Sequence, residues 1–287
     1  MSLETLRIFV LLETRISPPV GYTELKTALE GSRQHVLDAL RPGDADAFLR
    51  LREMTHVIYA DKSMSYDDRQ NKVGALINAH HALNERVFGA FSMIENAVPI
   101  KGVRLRFETY ADDFDMYGGS YEPPQATHRG IRRDYDPDDF DSDAPWWDDE
   151  YANKMTIGVD YRELIAGLHD EKVWRTFCGK LAQSIAHESM HREQFKRAKT
   201  VPNDPFIGYD SGINNPMEIE PYAENVAEEL YEKDAWNSVA LTVDDLSKNS
   251  RIFNDWINNA RTLPSRKRDR IVKKFMREIG ARLGRNE

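Results

Sequence analysis

The sequence predicts an α+β protein, and three observations lead there. Apolar residues recur at helical spacing through most of the first hundred positions. Beyond Pro99 the period drops to two: Val103, Leu105, Phe107 and Thr109 alternate with Arg104, Arg106 and Glu108, the pattern of a half-buried strand. A long helical pattern then runs from Glu171 to about Lys199 and encloses His187-Glu188-Ser189-Met190-His191, an H-E-x-x-H sequence.

Taken in order, Leu3 to Leu12 is an apolar stretch that fits strand or helix equally and is closed by Pro18-Pro19 and Gly21. Thr23 caps an expected helix to about Leu40, with Leu25, Leu29, Val36, Leu37 and Leu40 as its buried face and Gly31 as its weak point. Asp44 or Asp46 starts another, carrying Phe48, Leu49, Leu51, Met54, Val57 and Ile58. A third is expected from about Ser65 to Asn96, over Val73, Leu76, Ile77, Leu83, Val87, Phe88 and Phe91. His56, His80 and His81 fall in this region and read as surface or half-buried residues. Gly118 to Pro124 reads as a turn and short strand ended by prolines. Lys154 to Tyr161, with Met155, Ile157 and Val159 on one side, is a second good strand, expected at a sheet edge where its backbone would align an extended peptide. Arg162 to Leu168 is a short helix leading into the motif helix.

Composition bounds the function classes. With 287 residues, 40% hydrophobic and 30% charged, the chain can bury a sizeable core beneath an ordinary polar surface. No apolar run approaches the roughly 18 residues that a membrane span needs. Ile8 to Leu12 is short and lacks a basic flank and a cleavage site, so no signal peptide is expected. The single cysteine, Cys178, excludes an internal disulfide framework and makes a reducing, cytoplasmic setting the default. A net charge of −9 argues against bulk nucleic-acid binding. Asp134 to Glu150 holds nine carboxylates and no base. Its Asp139-x-Asp141-x-Asp143 spacing is that of a calcium loop, but Ala144-Pro145 stands where such a loop requires glycine. A solvated acidic loop, or a flap pinned by Trp146-Trp147, is the better expectation.

The chemistry gathers on the motif helix. Positions i and i+4 share a face, so His187 and His191 can converge on one ion. Glu188 follows the first histidine and stands beside that ion without reaching it, the place of a general base toward metal-bound water. A catalytic zinc needs a third protein ligand and an open position. Glu218, 27 residues beyond His191 and past an irregular crossing rich in Pro, Gly and Asn, stands at the start of another helix and suits that return. An acidic residue there is equally an ordinary helix start favoured by the dipole.

His187-Glu188-Ser189-Met190-His191-Arg192-Glu193-Gln194, followed by Pro216-Met217-Glu218-Ile219-Glu220-Pro221-Tyr222-Ala223, resembles the gluzincin class of zinc metallopeptidases. It is similar, more narrowly, to the metallopeptidase-like proteins of tailed bacteriophages, which pair H-E-x-x-H with a downstream E-I-E-A-Y-A segment. The resemblance covers about residues 103 to 230. It implies a zincin-like core of a small sheet, the H-E-x-x-H helix and a second ligand helix. It also implies zinc held by His187, His191 and Glu218, and peptide-bond hydrolysis with Glu188 as base. Pro221 stands where the pattern has alanine, which leaves Glu220 as the alternative third ligand.

The expected organisation is a helical N-terminal region over 1–100, the metal-binding core over 101–235 and a helical C-terminal region over 236–287. From Arg261 to Glu287 the charge turns strongly basic over an apolar stripe of Ile271, Val272, Phe275, Met276 and Ile279. That helix contacts nucleic acid or a membrane surface, docks a partner, or folds back on the acidic body. Two functions follow: a zinc peptidase acting on a peptide or protein substrate, or a non-catalytic structural or interaction protein, cytoplasmic or virion-associated, that retains the scaffold.

Overall fold

The computed structural model describes residues 18–108, 119–121, 155–198 and 218–284. The apolar stretch Leu3 to Leu12, the acidic stretch Asp134 to Glu150 and the crossing before Glu218 lie outside them. The described chain is mostly helical with one small sheet, an α+β composition. In order, the elements are α1 (Tyr22–Gly31), α2 (Arg33–Ala39), α3 (Asp44–Ala60), α4 (Tyr66–Ala79), α5 (His81–Ala97), β1 (Val103–Glu108), β2 (Gly119–Tyr121) and β3 (Met155–Asp160). They continue with α6 (Tyr161–His169), α7 (Glu171–Ala198), α8 (Ile219–Glu232), α9 (Val243–Asn249), α10 (Arg251–Ala260) and α11 (Ser265–Arg282). None of the described helices is long and apolar enough to cross a membrane.

Two compact units make up the chain. The first is drawn from the described residues of Thr23–Ser120 and Thr156–Ile185. Phe48 of α3 is its aromatic hub: the ring meets Phe88, Phe91 and Tyr161 edge-on, with centroids 5.4, 5.8 and 5.8 Å away. Such pairs add about 0.5–1.5 kcal/mol each beyond the burial of their area. The helix expected over Thr23 to Leu40 divides at Ser32, next to Gly31. The Ser32 hydroxyl donates to the Leu29 carbonyl at 2.7 Å and so competes with the helical ladder. The helix expected from Ser65 to Asn96 divides in the same way at His80, which leaves helical geometry at φ −114°, ψ 23°. Periodicity carries across both breaks because the apolar face resumes in register. Met54 and Val57, expected inside, are 53% and 67% exposed, since α3 turns that face to solvent.

Arg33 ties α6 to this unit by donating to the carbonyls of Gly167 and Leu168 at 3.2 and 2.6 Å, which satisfies the otherwise open C-terminal end of that helix. Gly167 allows a close approach there: a Cβ would stand 3.0 Å from the Trp174 Cα, so any larger residue would press on the start of α7. Trp174 in turn donates its indole N–H to the Glu30 carbonyl at 3.2 Å, anchoring the start of α7.

The sheet runs in the order β1-β3-β2. This corrects the expectation that Met155 to Val159 offers a free edge, because β3 is the middle strand with a neighbour on each side. Its burial says the same. Met155, Ile157, Gly158, Val159 and Asp160 are all buried, the mark of a strand covered on both faces. Asp160 ends the strand and caps α6, its carboxylate accepting from the Arg162 N–H at 2.8 Å.

The second unit is drawn from the described residues of Met1–Tyr22, Tyr121–Met155 and Ala186–Glu287. Its core is built from α8, α9, α10 and α11 and centres on Val226, Leu230, Leu246, Phe253, Trp256, Phe275 and Ile279. Phe253 stacks on Phe275 at 5.5 Å, and Trp256 covers the other ring at 4.0 Å. The basic helix α11 thus lays its apolar stripe into this core, and Arg282 donates to Glu224 of α8 at 2.6 Å. Folding back on an acidic neighbour is what the amphipathic stripe does here.

Candidate metal centre

Helix α7 carries the motif on its C-terminal half, where the apolar positions Ile185, Ala186 and Met190 are fully buried and hold the facing positions rigid. Ser189 points inward and donates to the Met155 thioether at 3.7 Å. The helical spacing then brings His187 and His191 side by side, their rings 4.9 Å apart and near-perpendicular at 73°. Glu218 occupies the N-cap position of α8 but makes no capping bond with its side chain. The carboxylate reaches the histidines instead. His187 Nε2 lies 3.1 Å and His191 Nε2 3.3 Å from the same oxygen, Oε2, while the two Nε2 atoms are 3.2 Å apart.

These three atoms form a nearly equilateral triangle. A tetrahedral ion with donors at roughly 2.0–2.1 Å has donor–donor edges of about 3.3 Å, so the triangle matches one face of such a tetrahedron. Three lone-pair atoms this close repel unless a cation or a proton lies between them. Among the described residues this is the one group of three His, Cys, Asp or Glu side chains whose donor atoms converge in this way.

The site is also electrostatically tuned for a cation. Burial pushes Glu218 up, but the hydrogen bonds and charge of His187 and His191 outweigh it and hold the carboxyl far below the usual carboxylate range. Burial pushes His191 down, yet the Glu218 carboxylate, with the charge of Glu188 and the bond to Gln194, carries it up to about 9. In the absence of an ion the pair thus holds a proton where a metal would sit.

Both histidines are held from behind. His191 Nδ1 lies 3.0 Å from Gln194 Oε1, and since an amide oxygen only accepts, Nδ1 carries a proton and Nε2 is the ring atom left facing the triangle. His187 is held by one stripe of α8: Glu218 at its Nε2, the Tyr222 ring edge-on at 4.9 Å, and the Asn225 amide 3.3 Å from its Nδ1. These three residues sit at i, i+4 and i+7, one face of a helix.

The structure therefore brings together His187, His191 and Glu218, with Glu188 buried beside them and close enough for its charge to act on His191. Glu220 is not in the group. Two residues along a helix is about 200° of rotation, so it faces away from Glu218 and is buried elsewhere. Sequence reasoning did not single out Gln194, Tyr222 or Asn225. The signal was present as spacing, a polar amide three residues after the second histidine and a Y-x-x-N four residues after the glutamate.

Against family models, curated proteins and solved structures, no match to this chain is found.

Proposed function

We propose that this chain is a zinc-dependent metallopeptidase of the gluzincin type, in which His187, His191 and Glu218 hold the ion and Glu188 is the general base. The supporting observation is the donor triangle: two imidazole nitrogens and one carboxylate oxygen 3.1–3.3 Å apart. Two histidines and one glutamate are a donor set that suits a hydrolytic zinc, and when bound the ion supplies Lewis acidity toward water and a scissile carbonyl. Glu188 succeeds His187 on the helix, about 100° round the axis, so its carboxylate flanks the triangle without joining it. It takes the proton from the attacking water and returns it to the departing amine. Gln194 and the α8 stripe keep the two imidazoles aimed. In this reading β3, α7 and α8 are the zincin-like core, and the likeness to phage metallopeptidase-like proteins makes a virion-associated role part of the proposal.

The test combines metal content with catalysis. Purified protein should carry about one equivalent of zinc, lost in His187→Ala and His191→Ala and strongly reduced in Glu218→Ala. Zinc retained in Glu218→Ala but lost in Glu220→Ala would move the third ligand. Glu188→Gln keeps size and fold but takes no proton, so zinc should stay while cleavage of a peptide library falls by roughly 10²–10⁴. Zinc-loaded parent that cleaves no peptide or unfolded protein, or Glu188→Gln that cleaves as well as the parent, overturns the peptidase reading in favour of a non-catalytic scaffold.

A further inference from the structure

His187 and His191 are supported differently, and the difference identifies a residue. The Gln194 carbonyl oxygen fixes the proton of His191 on Nδ1. At His187 the atom 3.3 Å from Nδ1 is the amide nitrogen of Asn225, while the amide oxygen, Oδ1, is buried without a hydrogen-bond partner among the described residues. An amide that donates to Nδ1 places the ring proton on Nε2, where it meets Glu218 Oε2 at 3.1 Å. That arrangement suits the metal-free site. It also leaves His187 without a lone pair for an ion.

Rotation of the Asn225 amide by 180° exchanges two groups of nearly equal size. When the Nε2 proton passes to solvent and Nδ1 takes one up, the rotated amide brings Oδ1 to the new Nδ1–H, which pairs the buried oxygen and leaves the Nε2 lone pair toward the triangle. We propose that Asn225 is the positioning residue of His187: its amide serves the metal-free ring by donating and the metal-holding ring by accepting, so the imidazole changes tautomer without changing place. An asparagine does this where an aspartate, which only accepts, would lock one tautomer and an aliphatic residue would lock neither. The inference rests on the metal reading of the triangle. It adds a function for the α8 stripe, in which Glu218, Tyr222 and Asn225 grip one ring from three sides.

The experiment measures zinc affinity by chelator competition and the ring ¹⁵N shifts of His187 in metal-free protein, for the parent, Asn225→Ala and Asn225→Asp. Loss of an outer hydrogen bond to a metal-bound histidine costs roughly 10–100-fold in affinity, and that weakening is expected for Asn225→Ala. Asn225→Asp should bind at least as tightly as the parent and should show His187 protonated on Nδ1 before metal is added. Asn225→Ala that binds zinc within twofold of the parent, while His187→Ala abolishes binding, overturns the inference. If the parent binds no zinc, the metal reading has failed and the inference falls with it; if the parent binds zinc but the His187 ring shifts of Asn225→Asp match the parent, the inference alone is overturned.

Discussion

Glu228 shows how much a single buried side chain can demand of this fold. It lies on α8 between Glu224 and Glu232, is 6% exposed, and neither of its carboxylate oxygens has a hydrogen-bond partner among the described residues. Burial first, and then the charges of Glu224 and Glu232, raise its pKa well above the usual value, against the pull of Arg282. The sign follows from linkage. Below the unfolded-state pKa both states are protonated and the residue costs nothing. As pH rises from there toward the folded pKa, the unfolded chain ionises while the folded one cannot, and each step of one pH across that interval removes about 1.4 kcal/mol of stability. Glu228→Gln should therefore melt close to the parent at pH 4 and several degrees above it at pH 8. A variant less stable than the parent at pH 8 would show that the carboxylate is paired after all. The neighbouring Glu229 is its opposite in every respect but sequence position.

Glu229 belongs to the scale of the element, because it builds the start of a helix other than its own. One oxygen accepts from the Ser250 hydroxyl at 2.5 Å and the Ile252 N–H at 3.2 Å, and the other from the Arg251 N–H at 3.0 Å and Lys233 at 2.6 Å. Ser250, the N-cap of α10, passes the arrangement on by accepting from the Phe253 N–H at 3.0 Å. A carboxylate at a helix N-terminus meets both the open N–H groups and the positive end of the dipole. Burial raises its pKa, but Lys233, Ser250 and the two backbone groups outweigh that and lower it, so this stability is present above the unfolded pKa and lost as pH falls. Glu229→Ala should cost about 3 kcal/mol near pH 7, with the gap to the parent closing in acid; an equal gap at pH 7 and pH 3 in denaturant titrations would refute this. None of it was legible in the sequence, where Glu228-Glu229 is two like residues in an acidic helix and only the tertiary neighbours tell them apart. The same limit explains the helix breaks at Ser32 and His80, since periodicity reports a face and not a continuous ladder. It explains β3 too: alternation identified a strand, but its place between β1 and β2 depends on pairing partners far away in the chain. The donor triangle was legible because i, i+4 spacing fixes two of its corners locally; Asn225 was not, because its meaning depends on where α8 comes to lie.

On the scale of the whole molecule, each unit has a core of its own, and the donor triangle sits in the one built on Val226, Leu230, Phe253 and Phe275. That core does not depend on an ion, unlike small domains that fold only around zinc, so in protein stripped with chelator this unit should still unfold cooperatively. What changes is local, and it follows from the position of Glu218. This residue stands at the cap of α8 yet spends its side chain on the histidines, leaving the first turn of the helix with no side-chain cap from that position. Whatever sits between His187, His191 and Glu218 therefore also fastens the beginning of α8. The helix should breathe from that end when the triangle is empty of cation, and hydrogen–deuterium exchange can watch it. Amides of Ala223 to Asn225 should slow several-fold on zinc loading while those of Val226 to Leu230, held by the core, keep their rate. Equal slowing along the whole helix would mean that the ion stabilises the unit globally. A signal confined to Ala223 to Asn225, whose N–H groups bond back to the first turn, would instead make the opening of one helix end a direct gauge of whether the site is filled.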